Sequence, residues 1–391
     1  MHRITQLIKD FFRKGDLTLL LMCLVTNAFG CLIIASTTNT MGFTRYVIIQ
    51  IAAAMIGVTL YALITLVDTE FFSEHRMLLV GFNMFLLLLL IPFGTDNGTG
   101  NKSWLDIPLV PVDIQPAEVC KISFVLIMAS VMASHQNRPS HPISVGHILF
   151  HLGLLVGVNL ILSRDMGVSL IFVFIFIGMA FAGGISLIWF LLAAGGIAAA
   201  APIAWNYLLD EYQKNRIRIL FDPTVDPLGL DERYHSRMSL QSLTGGGLAG
   251  QGLFNGIRTQ TPEALYAQHT DYIFSAIGEE LGYLGCILVL VMLFAIIARV
   301  IYVGTRSTDY MRRLVCFGAA SALIFQVVSN VGMCIGVTPV IGLTLPFVSY
   351  GGSSLVSLYA MLGLVSGVYA RPTSTSHERY IRPYYGDLRG R

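Results

Sequence analysis

Charge is scarce in this 391-residue sequence. Asp, Glu, Lys and Arg make up 12% of it, against about 25% in ordinary soluble domains. A soluble protein of this composition has too little polar surface to stay dispersed, so a soluble enzyme or binding module is excluded. Cysteine is equally uninformative as a framework. Cys23, Cys31, Cys120, Cys286, Cys316 and Cys334 all fall inside apolar runs and none has C-x-x-C spacing. That pattern argues against disulfides and zinc and for small buried hydrophobes. The N-terminal "MHRITQLIKDFFRKGD" lacks a short apolar core closed by a small-residue cleavage site. It reads as a basic, amphipathic cytoplasmic surface segment and not as a cleaved signal. Solenoid-type repeats and a separate soluble domain are lacking too, and nothing points to nucleic acid as a partner.

What fills the chain is apolar: 54% hydrophobic residues and a mean hydropathy of +0.69. A membrane-crossing helix takes about 20 apolar residues. Ten runs fit, at 17–37, 44–67, 76–93, 114–134, 146–162, 166–183, 185–205, 271–303, 310–337 and 350–370. The expected fold is an all-α integral membrane protein of about ten transmembrane helices. The run from 271 exceeds the ~30 Å hydrocarbon core and has to tilt or project. With the N-terminus inside, fifteen of the 25 basic residues lie on the cytoplasmic side, and the short loops opposite hold only Arg45, Lys102 and Arg164. By the positive-inside rule both termini are then cytoplasmic. The polar segment 206–270 becomes a large extracytoplasmic loop between spans seven and eight. The chain divides into a basic segment 1–16, a membrane domain 17–370 and a basic tail 371–391.

A loop of that length calls for a function. It contains "EYQKNRIRIL", a candidate interfacial helix, and ends in the cluster Gly245, Gly246, Gly247, Gly250 and Gly252. That composition fits a turn-rich surface and a flexible lid over an outward-facing site equally well. Charges within membrane segments are costly and mark function by default. In "QPAEVCK", Glu118 and Lys121 share a helix face at i, i+3 and neutralise each other; Pro116 fits the first turn. Asp165 opens the sixth span, where it could cap the helix or serve as counter-ion to Lys121. Asp271 is the third acid at an outer helix start, beside His269 and Thr270, with Thr270 as an alternative cap. Glu279 and Glu280 lie about 12 Å deeper and need partners or water. In "GLTLPFVSYGGSSL", Pro346, Gly351 and Gly352 interrupt the last hydrophobic region. Irregular backbone at that depth must be buried or line a cavity. Ser349, Tyr350, Ser353 and Ser354 offer hydroxyls to sugar or phosphate there; the alternative is an ordinary re-entrant turn. Three acids and one lysine at outer helix ends imply a polar cleft open to the outside.

Taken together, "WLDIPLVPVDIQPAEVCK", "RDMGVSL", "GGGLAGQGLFNG", "HTDYIFSAIGEELGYLG" and "NVGMCIGVTPVIGLTLPFVSYGGSSL" resemble the SEDS proteins, the RodA, FtsW and SpoVE group. The resemblance runs in order over essentially the whole chain. It implies a glycosyltransferase, a peptidoglycan polymerase, in the bacterial cytoplasmic membrane. Such an enzyme polymerises lipid II into glycan strands at the outer face, releases undecaprenyl diphosphate and works with a class B penicillin-binding protein. It implies Asp271 as the catalytic carboxylate and Glu118, Lys121 and Asp165 as functional residues. The substrate-binding or supporting set extends to Gln115, His269, Thr270, Ser349, Tyr350, Gly351, Gly352 and Ser353. A divalent cation, Mg or Mn, is the one cofactor left open. Two departures stand out. Ser103, preceded by Lys102, occupies a position where the family often has Arg before Trp. The approach to the His-Thr-Asp core reads "YAQHTDY", with Pro262 and Glu263 displaced.

On this implication Asp271, ionised at neutral pH if exposed, is a general base for the acceptor sugar's 4-hydroxyl. A single base with no covalent intermediate suits inversion. The diphosphate leaves as a stabilised anion and needs cations, from Lys121, Arg216, Arg218, Arg233, Arg237 or a metal. The rival readings are a lipid-linked oligosaccharide flippase and a non-catalytic scaffold for a penicillin-binding protein. The flippase would need a polar path through the nearly uncharged inner halves of the spans. The scaffold would leave Asp271 dispensable.

Overall fold

The computed structural model describes residues 2–95, 102–106, 114–207, 209, 211–220, 222, 234–261, 264–265 and 267–371. Helices dominate: α1 (His2–Lys14), α2 (Leu17–Thr37), α3 (Phe43–Leu66), α4 (Thr69–Glu74), α5 (Arg76–Leu88), α6 (Leu90–Phe93), α7 (Pro116–Ser134) and α8 (Pro142–Ser163) come first. Then follow α9 (Met166–Ala182), α10 (Leu187–Tyr207), α11 (Glu211–Arg218), α12 (Tyr234–Gly245), α13 (Ile273–Arg306), α14 (Tyr310–Cys334) and α15 (Gly352–Ala370). Among the described residues nine stretches are long and apolar enough to cross a membrane, α5 and α6 counting as one, and α9 is a shorter apolar helix. The expected all-α membrane fold is therefore present. It carries one small addition, a two-residue antiparallel ladder of β1 (Gly94–Thr95) and β2 (Trp104–Leu105). A bridge from Leu105 to Ile114 ties this ladder to the approach of α7.

The centre of the bundle is built from α7, α14 and α15, the most buried of the long apolar helices. Helix α15 lies along α3, and α14 contacts α7, α9, α13 and α15. Far from Asp271, at the other end of α13, Arg299 grips Asp16 through Nε and Nη2, both at 2.9 Å. Ser366 Oγ accepts from the Asp16 amide and Tyr61 donates to its carbonyl. In contrast, no residue of α10 is buried. Its start is tied to the turn between α7 and α8 by Trp189 donating to the Ser140 carbonyl at 2.9 Å.

The long apolar run from 271 is resolved by a break, not by tilt alone. Gly282 adopts φ 67°, ψ −164° inside α13, a conformation open to glycine. In an unbroken helix Tyr283 and Leu284 would donate to Glu279 and Glu280. Here Tyr283 donates to the Gly247 carbonyl at 3.0 Å and Leu284 to Leu248 at 3.2 Å. The Glu279 and Glu280 carbonyls instead accept from Gln251 at 2.9 Å and Gly252 at 3.0 Å. The glycine cluster is thus spliced into the helix, exchanging two helical bonds for four. Gly250 is required by this approach: a Cβ there would lie 2.1 Å from the Glu280 carbonyl oxygen. The described conformation of the cluster is a tight brace on α13, not the open lid that its composition allowed.

Candidate active site

The His-Thr-Asp core is fixed by its main chain. Tyr350 N donates to the His269 carbonyl at 2.9 Å. Ser349 Oγ donates to the Thr270 carbonyl at 2.6 Å while accepting from Leu345 N at 2.8 Å. Asn330 Nδ2 donates to the Asp271 carbonyl and to the Leu343 carbonyl, both at 2.7 Å. Three consecutive carbonyls are therefore pinned to α14 and to the irregular 338–351 segment. That segment is itself held by Gln50 of α3, which donates to the Ser349 carbonyl at 3.1 Å and accepts from Gly351 N at 3.3 Å.

This arrangement spends several groups that the sequence offered to ligand. Ser349 supports Thr270. Ser353 Oγ accepts from Gln115 N at 3.3 Å, and Ser354 pairs with Thr344 at 3.2 Å. Gly351 and Gly352 form the junction into α15, with Gly352 as its first residue. Tyr350 and His269 form an aromatic trio with Tyr46, ring centroids 5.1–5.6 Å apart. Burial lowers the His269 pKa and favours its neutral form, and no hydrogen bond joins it to Asp271 among the described residues.

Two acids at helix starts behave differently. Asp165 caps α9: its Oδ1 accepts from Val168 N at 3.0 Å. Its Oδ2 accepts from Ser103 Oγ at 3.2 Å and Gln115 Nε2 at 3.4 Å. The capping expectation for Asp165 holds; Lys121 pairs with Glu118 instead, its Nζ lying 2.8 Å from both carboxylate oxygens in a buried setting. Asp271, by contrast, caps nothing. The N-cap of α13 is Tyr272, without a side-chain cap, and Thr270 Oγ1 turns back to the Ala267 carbonyl. Among the described residues the Asp271 carboxylate makes no hydrogen bond.

The acids nevertheless sense one another. The Ile341–Gly342 corner lies between them, since a Cβ on Gly167 would meet the Ile341 carbonyl at 2.7 Å and Asp165 Oδ1 at 3.4 Å. A Cβ on Gly342 would lie 3.5 Å from Asp271 Oδ2. Burial raises the Asp165 pKa against its own hydrogen bonds, and the Glu118 charge adds to the rise. Burial, then the charge of Asp165, pushes Asp271 up to about 6. Asp271 is thus a partly buried acid and not the freely exposed one assumed from its position.

The deeper acids have their partners. Glu280 accepts from Ser36 Oγ at 2.6 and 2.7 Å, Thr259 Oγ1 at 2.7 Å and Gln260 Nε2 at 3.2 Å. Glu279 accepts from Arg258 N at 2.7 Å. Thr259 in turn receives Gln268 Nε2 on its carbonyl at 3.0 Å, three residues before Asp271. These carboxylates fasten the loop to α2 and α13.

This placement of an unbonded acid, beside an irregular segment and coupled to Asp165, can be set against known proteins. The family model FTSW_RODA_SPOVE, described as "Cell cycle protein", matches residues 16–373. The chain belongs to the RodA/FtsW/SpoVE family. It is 32% identical over 368 residues to the peptidoglycan glycosyltransferase MrdB of Escherichia coli (strain K12), covering 92% of this chain and 95% of that protein. It is 31% identical over 361 residues to the probable peptidoglycan glycosyltransferase FtsW of Thiomicrospira cyclica, covering 90% of each. Among solved structures it matches RodA of Thermus thermophilus with a TM-score of 0.66 and 25% identity, over 91% of this chain and 96% of that one. It also matches a chain from the structure "Structural coordination of polymerization and crosslinking by a peptidoglycan synthase complex". There the TM-score is 0.76 and the identity 28%, over 92% of this chain and 98% of that one.

Within this RodA/FtsW/SpoVE chain the structure adds residues that sequence reasoning passed over: Tyr46, Gln50 and Asn330. Gln50 and Asn330 are fully buried amides in otherwise apolar helices, and that was the available signal. Of the cations expected to meet a leaving diphosphate, Lys121 is buried and already paired. Arg218 is paired with Glu211 at 3.1 Å, and Arg237, on α12, has a partner of its own. Arg233 and the Arg216 side chain lie outside the described residues, as does the tail beyond 371. Pro262 and Glu263 lie outside them too. Among the described residues no group of three or more His, Cys, Asp or Glu side chains is placed to hold a metal ion.

Proposed function

We propose that the chain is a peptidoglycan glycosyltransferase that polymerises lipid II at the outer face of the bacterial cytoplasmic membrane, with Asp271 as general base. The observation that carries this reading is the contrast between the two acids. Asp165 spends its carboxylate on protein donors, whereas Asp271 is pinned through its backbone and keeps its carboxylate unbonded. Family membership supports the reaction class. On this reading the nine long apolar stretches and the shorter α9 serve as ten spans. The placement of basic residues supports an orientation with both termini inside and the 206–270 loop outside.

The acceptor 4-hydroxyl gives its proton to Asp271 as its oxygen attacks the donor's anomeric carbon from the face opposite the diphosphate. The bond to the diphosphate breaks with its electron pair, and the product is inverted. A base with a pKa of about 6 is ionised at neutral pH yet closer to the operating pH than an ordinary Asp. This is the regime in which general-base help reaches roughly 10²–10⁴-fold. Lys121 offsets Glu118, so the site does not present three uncompensated carboxylates to an anionic substrate. Any Mg or Mn ion would enter with the substrate's own diphosphate. A class B penicillin-binding protein is the partner that would crosslink the product. The exposed apolar side chains Ile287, Val291 and Phe294 on α13 give a membrane-embedded partner helix a face to meet.

The test is polymerisation of lipid II by the purified protein with its transpeptidase partner, comparing wild type with Asp271→Ala. The expected result is glycan strands from the wild type and none from a folded, partner-bound variant. Full activity in the variant would remove the general-base assignment. Inactivity of both would favour transport or scaffolding.

A further inference from the structure

The candidate site holds Glu118, Asp165 and Asp271 against the single ammonium of Lys121, and Lys121 is already engaged. A diphosphate arriving there brings further negative charge. Of the described cations of the 206–270 loop, Arg237 on α12 already has a partner. Lys214 and Arg218 are bound to Glu211. Arg258 is held by Gln241 and lies 4.0 Å from Glu279.

Two other cationic residues are chain neighbours of the Ser103–Asp165 pair. The Ser103–Asp165 hydrogen bond, 3.2 Å long, brings residues 102–103 against 164–165. Ser103 is buried and Asp165 half-buried, while their preceding neighbours, Lys102 and Arg164, are exposed. Neither makes an ion pair among the described residues. Arg164 is also held at φ 56°, ψ 19° as the C-cap of α8. This left-handed conformation is ordinarily given to Gly or Asn at helix ends. A long cationic side chain at a strained position is a pointer to function.

We propose that Lys102 and Arg164 form a two-cation clamp for the diphosphate of the lipid-linked sugar, on the rim beside Asp165. The proposal rests on the lipid II reading above. A guanidinium grips a phosphate through parallel N–H bonds and an ammonium adds a point charge, so the two together match the two phosphates of a diphosphate. The clamp also compensates the cation that Lys121 cannot supply. Phospholipid headgroups share this phosphate chemistry, and the test separates the two sources.

Initial rates of lipid II polymerisation would be measured for wild type, Lys102→Ala, Arg164→Gly, Arg164→Lys and the Lys102→Ala/Arg164→Gly double variant. Undecaprenyl diphosphate serves as competing product. Each protein is placed in phosphatidylcholine nanodiscs with and without phosphatidylglycerol. Arg164→Gly removes the charge while accepting φ 56°, so its melting temperature should match or exceed wild type. The clamp predicts that KM for lipid II and Ki for undecaprenyl diphosphate rise about tenfold in each single charge-removing variant. They rise further in the double variant, with kcat changed less, and Arg164→Lys recovers most of the loss. Unchanged KM and Ki in the double variant, beside an active wild type, overturn the clamp and leave the glycosyltransferase reading intact. A change confined to the phosphatidylglycerol dependence assigns the cations to bilayer headgroups and also overturns it. An inactive wild type overturns the reading on which the clamp rests.

Discussion

Replacing Asp271 by Asn should make the protein more stable and inactive at once. Burial and the neighbouring Asp165 push the Asp271 carboxyl from 3.8 up to about 6. Between those values the folded chain binds more protons than the unfolded chain, so stability falls as pH rises through the window. The full cost is present above about 6. A gap of about two pH units at about 1.4 kcal/mol each comes to about 3 kcal/mol. Asp271→Asn has the shape of the acid without its charge and escapes that cost. At pH 7.5 it should melt later by up to about 4 °C, from the usual unfolding entropy per residue. The advantage should shrink below pH 6, be small at pH 4 and vanish only below about pH 3, where the wild-type acid is protonated in both states. The same substitution should abolish polymerisation, and the wild-type rate should fall on the acid side of about pH 6. The assay is thermal unfolding of detergent-purified protein across pH 4–8, paired with lipid II turnover. Identical melting at pH 7.5, or a shift of the same size at pH 4, would refute the argument that burial of an uncompensated charge tunes this acid.

Three further outcomes are expected. Glu118→Gln or Lys121→Met alone strands one buried partner and should cost about 3–5 kcal/mol, whereas changing both together to apolar residues should cost less; unfolding in a double-mutant cycle reads the difference. Asn330→Leu removes the amide donor from the Asp271 and Leu343 carbonyls, leaving Asp271 only the weak Cys334 thiol at 3.8 Å, at about 1–3 kcal/mol for an unsatisfied carbonyl. It should lower kcat far more than it raises KM, because the acid's position depends on that amide. Gly250→Ala puts a Cβ into the Glu280 carbonyl at φ 79° and should reduce the folded fraction recovered by size-exclusion chromatography.

Hydropathy made the spans legible because a bilayer imposes length and apolarity on each helix separately. It placed α2, α7, α9 and α14 within a few residues, and it marked the acids at outer helix starts. What it could not separate was a capping acid from a free one. Asp165 and Asp271 look alike in sequence, and they differ only through Ser103, Gln115 and Tyr272, which the fold supplies from elsewhere or places at the cap. The irregular stretch around Pro346 was rightly seen as non-helical, yet its hydroxyls serve protein carbonyls and amides, because buried backbone must find partners before any ligand arrives. The glycine cluster misled in a similar way. Glycine signals freedom and close approach equally, and only contact with α13 decides between them.

The exchange of bonds at Gly282 has a mechanical corollary. Lifting 247–252 off the helix would break four backbone hydrogen bonds, each worth about 1 kcal/mol net and more if its groups stay buried, so the brace and the helix move as one piece. The portion of α13 nearest the loop, 273–281, is then the short arm of a lever whose long arm, 283–306, is the apolar stretch long enough to cross the membrane. Asp271 sits two residues beyond the tip of the short arm. A sideways load on the long arm would therefore turn about Gly282 and be delivered, reversed in direction, to the carboxylate.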